Sequence, residues 1–399
     1  MSTDVYKDTI AFTGRLGAAL AQYGAPAHRV EDVLNLLTQD LEIDGVYSAT
    51  PSILMMEFRN AEGSQVRLER IHSNEIDLGR LQRLDQLFNQ VADKSLSPRE
   101  GLAALEEIID AKPRFGPWIT TLAFAVTSAS ATPLFGGAPS DMLLGTLAGA
   151  SVGLVAQFAP TRLLVPIGGF CAALLASLCA PLMATANLNA AILGGVIVLV
   201  PGFTLTLGVS ELVTHNITAG VSRLGAALVT ALMLSFGVIF GHAAATAMIG
   251  ATTLPLSTPS PDWLLWSMVP VAVVTINILF KAPVRQWGWI LLTSSLSYGA
   301  LEATATFMRP DLAVFIGALT LGCTSNLYAR FKNMPAAIIR MPGLLFLVPG
   351  SLSFLSIRAV MEGHAEQASA SGGQLILVAI SLVMGMVVAG TLIPPRKAL

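Results

Sequence analysis

Two prolines constrain this chain more than any other feature. They lie in the stretches Gly195-Val-Ile-Val-Leu-Val-Pro-Gly202 and Gly343-Leu-Leu-Phe-Leu-Val-Pro-Gly350, which are 148 residues apart and match at five of eight positions. Each puts a Pro-Gly pair inside an apolar segment long enough to cross a bilayer. Proline lacks an N–H and clashes with the preceding turn, so a helix must kink or break there. In hydrocarbon a broken helix survives only where protein or a water-lined cavity satisfies the freed backbone groups. One such pair reads as a structural kink, since Pro and Gly are common in membrane helices. Two at matching places in two halves point to a transporter's binding site.

Composition agrees with a membrane setting. The 399 residues are 53% hydrophobic and only 12% charged, which suits a polytopic membrane protein better than a soluble enzyme. The charge is uneven. Residues 1–112 hold eighteen acids and eleven bases, and the remainder holds seven acids and twelve bases. The first residues show no basic-then-apolar signal region, so 1–112 is expected to be a cytoplasmic domain that folds by itself. Cys171, Cys179 and Cys323 sit in apolar segments and read as packing residues, with no metal site. Residues 1–112 contain no nucleophile elbow, P-loop, HExxH or CxxC, and no enzyme activity and no cofactor are expected. No nucleic-acid partner is expected.

Within 1–112 the periodicity predicts helices over 4–23 and 26–40, with Pro26 in the first turn of the second. Three strands follow, over 46–50, 53–59 and 65–71, with a turn at 60–63. Two more helices follow near 75–93 and 97–110, the last opened by a capping box of Ser97 and Glu100. This ααβββαα order predicts a small α+β domain. Its cluster His28-Arg29-Val30-Glu31-Asp32 reads mainly as a solvated helix face.

Ten spans are expected beyond residue 112, over 118–134, 140–158, 163–186, 188–209, 221–250, 263–281, 284–307, 311–329, 336–359 and 373–393. With a cytoplasmic N-terminus, ten basic residues fall on the inner side and only Arg309 and Arg358 on the outer. Both termini are then cytoplasmic. The 148-residue offset divides the spans into two sets of five, residues 113–251 and 262–395. Five is odd, so the second set enters from the opposite face. The expected fold is therefore an all-α membrane protein of two inverted five-helix repeats carrying an α+β N-terminal domain. Pro201 and Pro349 then fall near the bilayer centre, where two antiparallel broken helices can offer their ends to one ligand.

Candidate substrate-binding residues are Pro201, Gly202, Pro349, Gly350, Asn216, Thr218, Arg223 and Asn326. Candidate proton carriers are Glu211, then Glu302 and His242, because ionisable groups at membrane depth are costly and usually functional. An interfacial loop explains the run from Glu211 to Arg223 about as well. A helix-to-helix hydrogen bond explains His242 better.

The residues Gly24-Ala-Pro-Ala-His28-Arg29-Val-Glu31, followed by Val200-Pro-Gly202, Glu211, Asn216, Gly220 and Arg223, resemble the threonine/serine exporter family. The resemblance runs over nearly the whole chain and includes the second Val348-Pro-Gly350. It implies ten spans, a cytoplasmic N-terminal domain, and export of small hydroxy amino acids driven by the proton gradient. Some members carry the two halves as separate chains, and some such pairs are linked to dicarboxylate export. The expected partners are a small-molecule substrate, protons and the lipid bilayer, in the inner (plasma) membrane. The glycine-rich faces would permit a homodimer without requiring one. A dicarboxylate exporter and an uncoupled channel are the alternatives.

Overall fold

A computed structural model describes residues 3–60, 63–71, 75–183, 186–250, 255, 257–348, 350–361 and 363–394. The chain begins with Thr3–Gln22 (α1) and Ala27–Asp40 (α2), the latter starting just after Pro26. Strands Asp44–Ala49 (β1), Ile53–Asn60 (β2) and Gly63–Arg70 (β3) form an antiparallel sheet in the order β1-β2-β3. Alternation sets its buried face. Leu54, Met56 and Phe58 on β2 point inward, and Met55 between them points out. Leu78–Ala92 (α3) is capped by the Asp77 side chain, and Pro98–Asp110 (α4) by the Ser97–Glu100 capping box.

The membrane part is almost entirely helical. Its first half contains Pro117–Ala131 (α5), Asp141–Phe158 (α6), Thr161–Cys179 (α7), Leu188–Val196 (α8), Gly202–Val213 (α9) and Ile217–Ile249 (α10). Its second half contains Asp262–Leu279 (α11), Trp287–Ala305 (α12), Pro310–Lys332 (α13), Ala337–Leu344 (α14), Gly350–Met361 (α15) and Ala365–Leu392 (α16). Among the described residues seven helices are long and apolar enough to cross a membrane, or eight if the bent pair α8–α9 is one span. The protein is thus a polytopic membrane protein. Two of the ten expected spans fall short of that measure. One is α12, which carries Thr293, Ser294 and Ser297 on its buried side. The other is the segment 336–359, which is divided into the short helices α14 and α15.

The breaks fall where proline demands them. After α8 the chain makes a 3-10 turn at Ile197–Leu199, extends at Val200, and restarts as α9 at Gly202, bent by 56°. In the second half α14 ends at Leu344 and α15 restarts at Gly350. Gly202–Val213 and Gly350–Met361 correspond end to end at an offset of 148, as do the first residues of α10 and α16. Pro349 lies outside the described residues.

The N-terminal layer does not stand apart. Phe12, Leu16, Tyr23, Leu34 and Phe58 belong to one continuous apolar core with Val273, Ile290, Tyr328, Ile338 and Met341 of the membrane helices. At the start of α3 the Leu78 N–H donates to the Phe280 carbonyl at 3.0 Å, and Lys281 pairs with Glu75. Residue 112 marks a change of composition but no gap in packing.

Candidate functional site

The two breaks meet at the middle of the membrane part. Val200, Pro201 and Gly202 from one, and Val348, Gly350 and Ser351 from the other, line a single cavity of about 480 Å³. They meet because neither glycine carries a side chain. A Cβ on Gly202 would stand 2.8 Å from the Gly350 Cα, and one on Gly350 would stand 3.2 Å from the Gly202 Cα. Both helix starts therefore border the same space. No side chain caps α9, and its Leu205 N–H bonds back to the Pro201 carbonyl at 3.0 Å. Phe203 and Thr204 supply first-turn N–H groups that a helix leaves without an internal partner, and both residues line the cavity. Helix starts carry partial positive charge and favour anions.

The lining also bears a carboxyl group. Glu302 lines the cavity from α12, with Tyr298 beside it one turn earlier. Tyr298 is held between Trp266 and Phe346, with ring centroids at 5.6 and 6.3 Å. Thr127, Thr204, Thr230 and Ser351 add hydroxyl groups, and the lining contains no Lys or Arg among the described residues. Thr127 donates to Thr275 at 2.7 Å, joining α5 to α11.

The expected Glu211-to-Arg223 run forms a different structure. Glu211 is fully buried at the far end of α9. The Arg223 Nε donates to both of its carboxylate oxygens at 2.9 Å. The Ala27 N–H, at the start of α2, donates to the same carboxylate at 3.0 Å. A carboxylate of the membrane part thus caps a helix of the N-terminal layer, where the helix dipole favours it. The next residue, His28, has a buried Nδ1 with no hydrogen-bond partner among the described residues. Burial, and then the charges of Arg29, Arg340 and Arg223, push its imidazole down to about 4.

Of the sequence candidates, Pro201, Gly202, Gly350 and Glu302 come together in the cavity. Glu211 and Arg223 lie under the N-terminal layer instead. Asn216 precedes α10 and Thr218 is exposed on its first turn, both outside the cavity lining. Asn326 accepts from Arg340 at 2.7 Å. His242 shares a 2.9 Å hydrogen bond with Ser177, the helix-to-helix bond weighed above. Thr127, Thr230, Tyr298 and Ser351 are not singled out by any motif. The one signal for Thr127 is its spacing of 148 residues from Thr275.

Comparison with known proteins gives a consistent result. The profile of the threonine/serine exporter family matches residues 11–244, and a second one, Threonine/Serine exporter, ThrE, matches 266–392. An uncharacterized protein of Schizosaccharomyces pombe is 25% identical over 96% of this chain and 55% of its own length. Pheromone-regulated membrane protein 10 of Saccharomyces cerevisiae is 27% identical over 86% of this chain and 46% of its own. The same-named protein of Yarrowia lipolytica is 27% identical over 92% of this chain and 31% of its own. The chain spans about half the length of the first two. No solved structure matches. With both profiles together covering all but the ends and a short middle segment, the chain belongs to the threonine/serine exporter family.

Proposed function

We propose that this protein is a secondary exporter of small hydroxy amino acids, threonine or serine, working in the inner (plasma) membrane and driven by the proton gradient. One observation carries the reading: among the described residues the central cavity is lined by a single carboxylate, Glu302, and by two helix starts, with no basic side chain. A zwitterion needs that arrangement. Its ammonium pairs with Glu302, its carboxylate meets the N–H groups at the start of α9 and α15, and its hydroxyl meets the threonine hydroxyls. A dicarboxylate would need a second cation, so the cavity favours the amino acid.

Ten spans in two inverted halves suit this chemistry. The reading is supported by the 148-residue correspondence of the helices, by the Thr127–Thr275 bond at that same offset, and by the paired glycines. In it α12 and the α14–α15 pair also cross the membrane, and the two halves rock about the cavity. Glu302 is then placed to carry both the ammonium and a proton in alternation. Transport into proteoliposomes under an imposed pH gradient, with a panel of amino acids and dicarboxylates, tests the proposal. Glu302→Gln should lose gradient-driven threonine uptake by tenfold or more while the protein stays monodisperse. Uptake of dicarboxylates alone, or a current indifferent to the gradient, would refute it.

A further inference from the structure

A second, smaller cavity of about 100 Å³ lies between the N-terminal layer and the membrane helices. Pro26 lines it from just before α2, His28 and Arg29 from α2, Thr206 and Ser210 from α9, and Arg340 from α14. Phe203 belongs to the walls of both this cavity and the central one, and packs on Phe280 with ring centroids 6.2 Å apart. The two cavities thus lie in series along α9, with Phe203 as the partition.

The charges around the smaller cavity do not balance in the same way. Arg223 is matched by Glu211 at 2.9 Å, and Arg29 has Asp32 at 3.7 Å. Arg340 has no carboxylate partner among the described residues. It donates only to neutral groups, to Asn326 Oδ1 at 2.7 Å and weakly to Ser325 Oγ at 3.4 Å. A guanidinium has five N–H groups in a planar fork suited to a carboxylate, so part of that fork is left over. Arg340 is half-buried; a cation withdrawn from water without a counter-charge is costly, and an anionic ligand reduces the cost. The unpartnered His28 Nδ1 adds a further polar atom to the same wall.

We infer that this interface cavity is a loading subsite in which Arg340 holds the α-carboxylate of the amino acid before it passes Phe203 into the central cavity. The inference rests on the proposed function for the identity of the ligand, and on the charge geometry for the existence of the site. The cavity has room for a small carboxylate-bearing molecule, and its walls beyond Arg340 include Leu207, Leu344 and Leu382, which suit a short side chain.

Titration calorimetry on the purified full-length protein tests it, with L-threonine, L-threonine amide (which lacks the carboxylate) and inorganic phosphate as probes. Wild type should bind L-threonine in two phases. Arg340→Gln should weaken one phase at least tenfold, and Glu302→Gln the other. The amide should be missing from the Arg340 phase. Arg340→Lys keeps the charge but not the fork, so it should retain that phase in weakened form. It decides the matter if the glutamine variant proves misfolded. Threonine binding unchanged in both Arg340 variants, or an Arg340 phase that takes phosphate and not threonine, would overturn the subsite. An unchanged Glu302→Gln titration would overturn the central reading alone.

Discussion

Thr127 and Thr275 share a 2.7 Å hydrogen bond across the centre of the protein, and they are separated by 148 residues. Gly202 and Gly350, which close on each other at the helix breaks, have the same separation. Two contacts between corresponding positions are what a two-fold relation between halves would produce, because only residues near the axis can meet their own counterparts. The cavity lies where these contacts occur, so both halves contribute the same breaks to it and different side chains. Glu302 comes from one half only.

The close approach at the breaks is not symmetric. A Cβ on Gly202 would come to 2.8 Å from the Gly350 Cα and would also run into Val348. A Cβ on Gly350 meets a methyl group of Val200 at 3.0 Å and the Gly202 Cα at 3.2 Å, each farther than the matching contacts of Gly202. Gly202→Ala should therefore cost about 1–3 kcal/mol in overpacking, and Gly350→Ala less. Melting temperatures in detergent check the order, and a less stable Gly350→Ala would contradict it.

Glu211 and Arg223 form a buried pair at the interface with α2. Removing one partner leaves the other uncompensated, at a cost of about 3–5 kcal/mol. Glu211→Gln and Arg223→Met should each lower the melting temperature, and the double variant by less than their sum. If Glu211 also carries the transported proton, Glu211→Gln protein that folds should keep substrate exchange and lose pH-driven export. Retained proton coupling removes it from the pathway and leaves Glu302.

His28 supplies a pH dependence with a definite sign. Its imidazole stands at about 4 in the folded protein against 6.5 ordinarily, chiefly through burial. The folded state therefore binds this proton more weakly than the unfolded state. The resulting stability is complete above pH 6.5 and is lost as the pH falls from there through 4. The amount is roughly 3 kcal/mol at most. His28→Leu should flatten the fall in melting temperature across that range. An equally steep fall in the variant would mean that other groups produce it.

Orientation is open to chemical labelling, but the position of the probe matters. Ser260 in the linker is buried and donates to the Gly137 carbonyl at 2.7 Å, so a cysteine there would report poorly. Thr258 is exposed, as is Lys332. In a variant lacking the native cysteines, Thr258→Cys should react with an impermeant thiol reagent outside whole cells and Lys332→Cys should not. The reverse pattern would invert the proposed topology.

Much of the architecture was legible in the chain because it is set locally. Proline 201 breaks a helix wherever it lies, since the missing N–H is covalent. Ser97 and Glu100 cap α4 through a spacing of three residues. The three strands and the 148-residue offset needed only alternation and alignment; the turn expected at 60–63 falls partly outside the described residues. The positions of Gly202 and Gly350 in one cavity followed from the same reasoning.

The partners of the charged side chains were not legible. Glu211 read as the first-choice proton carrier, toward the cytoplasmic end of its span, and no spacing showed that it meets the Ala27 N–H, 184 residues earlier in the chain. Glu302 read as second choice, yet it is the carboxylate of the central cavity. Arg340 appeared as one inner-side basic residue among ten, and its lack of a counter-charge emerges only once α2, α9 and α14 are packed together. The sequence by itself determined where the backbone must break, because that is a property of one residue and its neighbours. Tertiary structure decided which charges are matched, because a counter-ion is whatever group the packing of distant helices brings within a few ångströms.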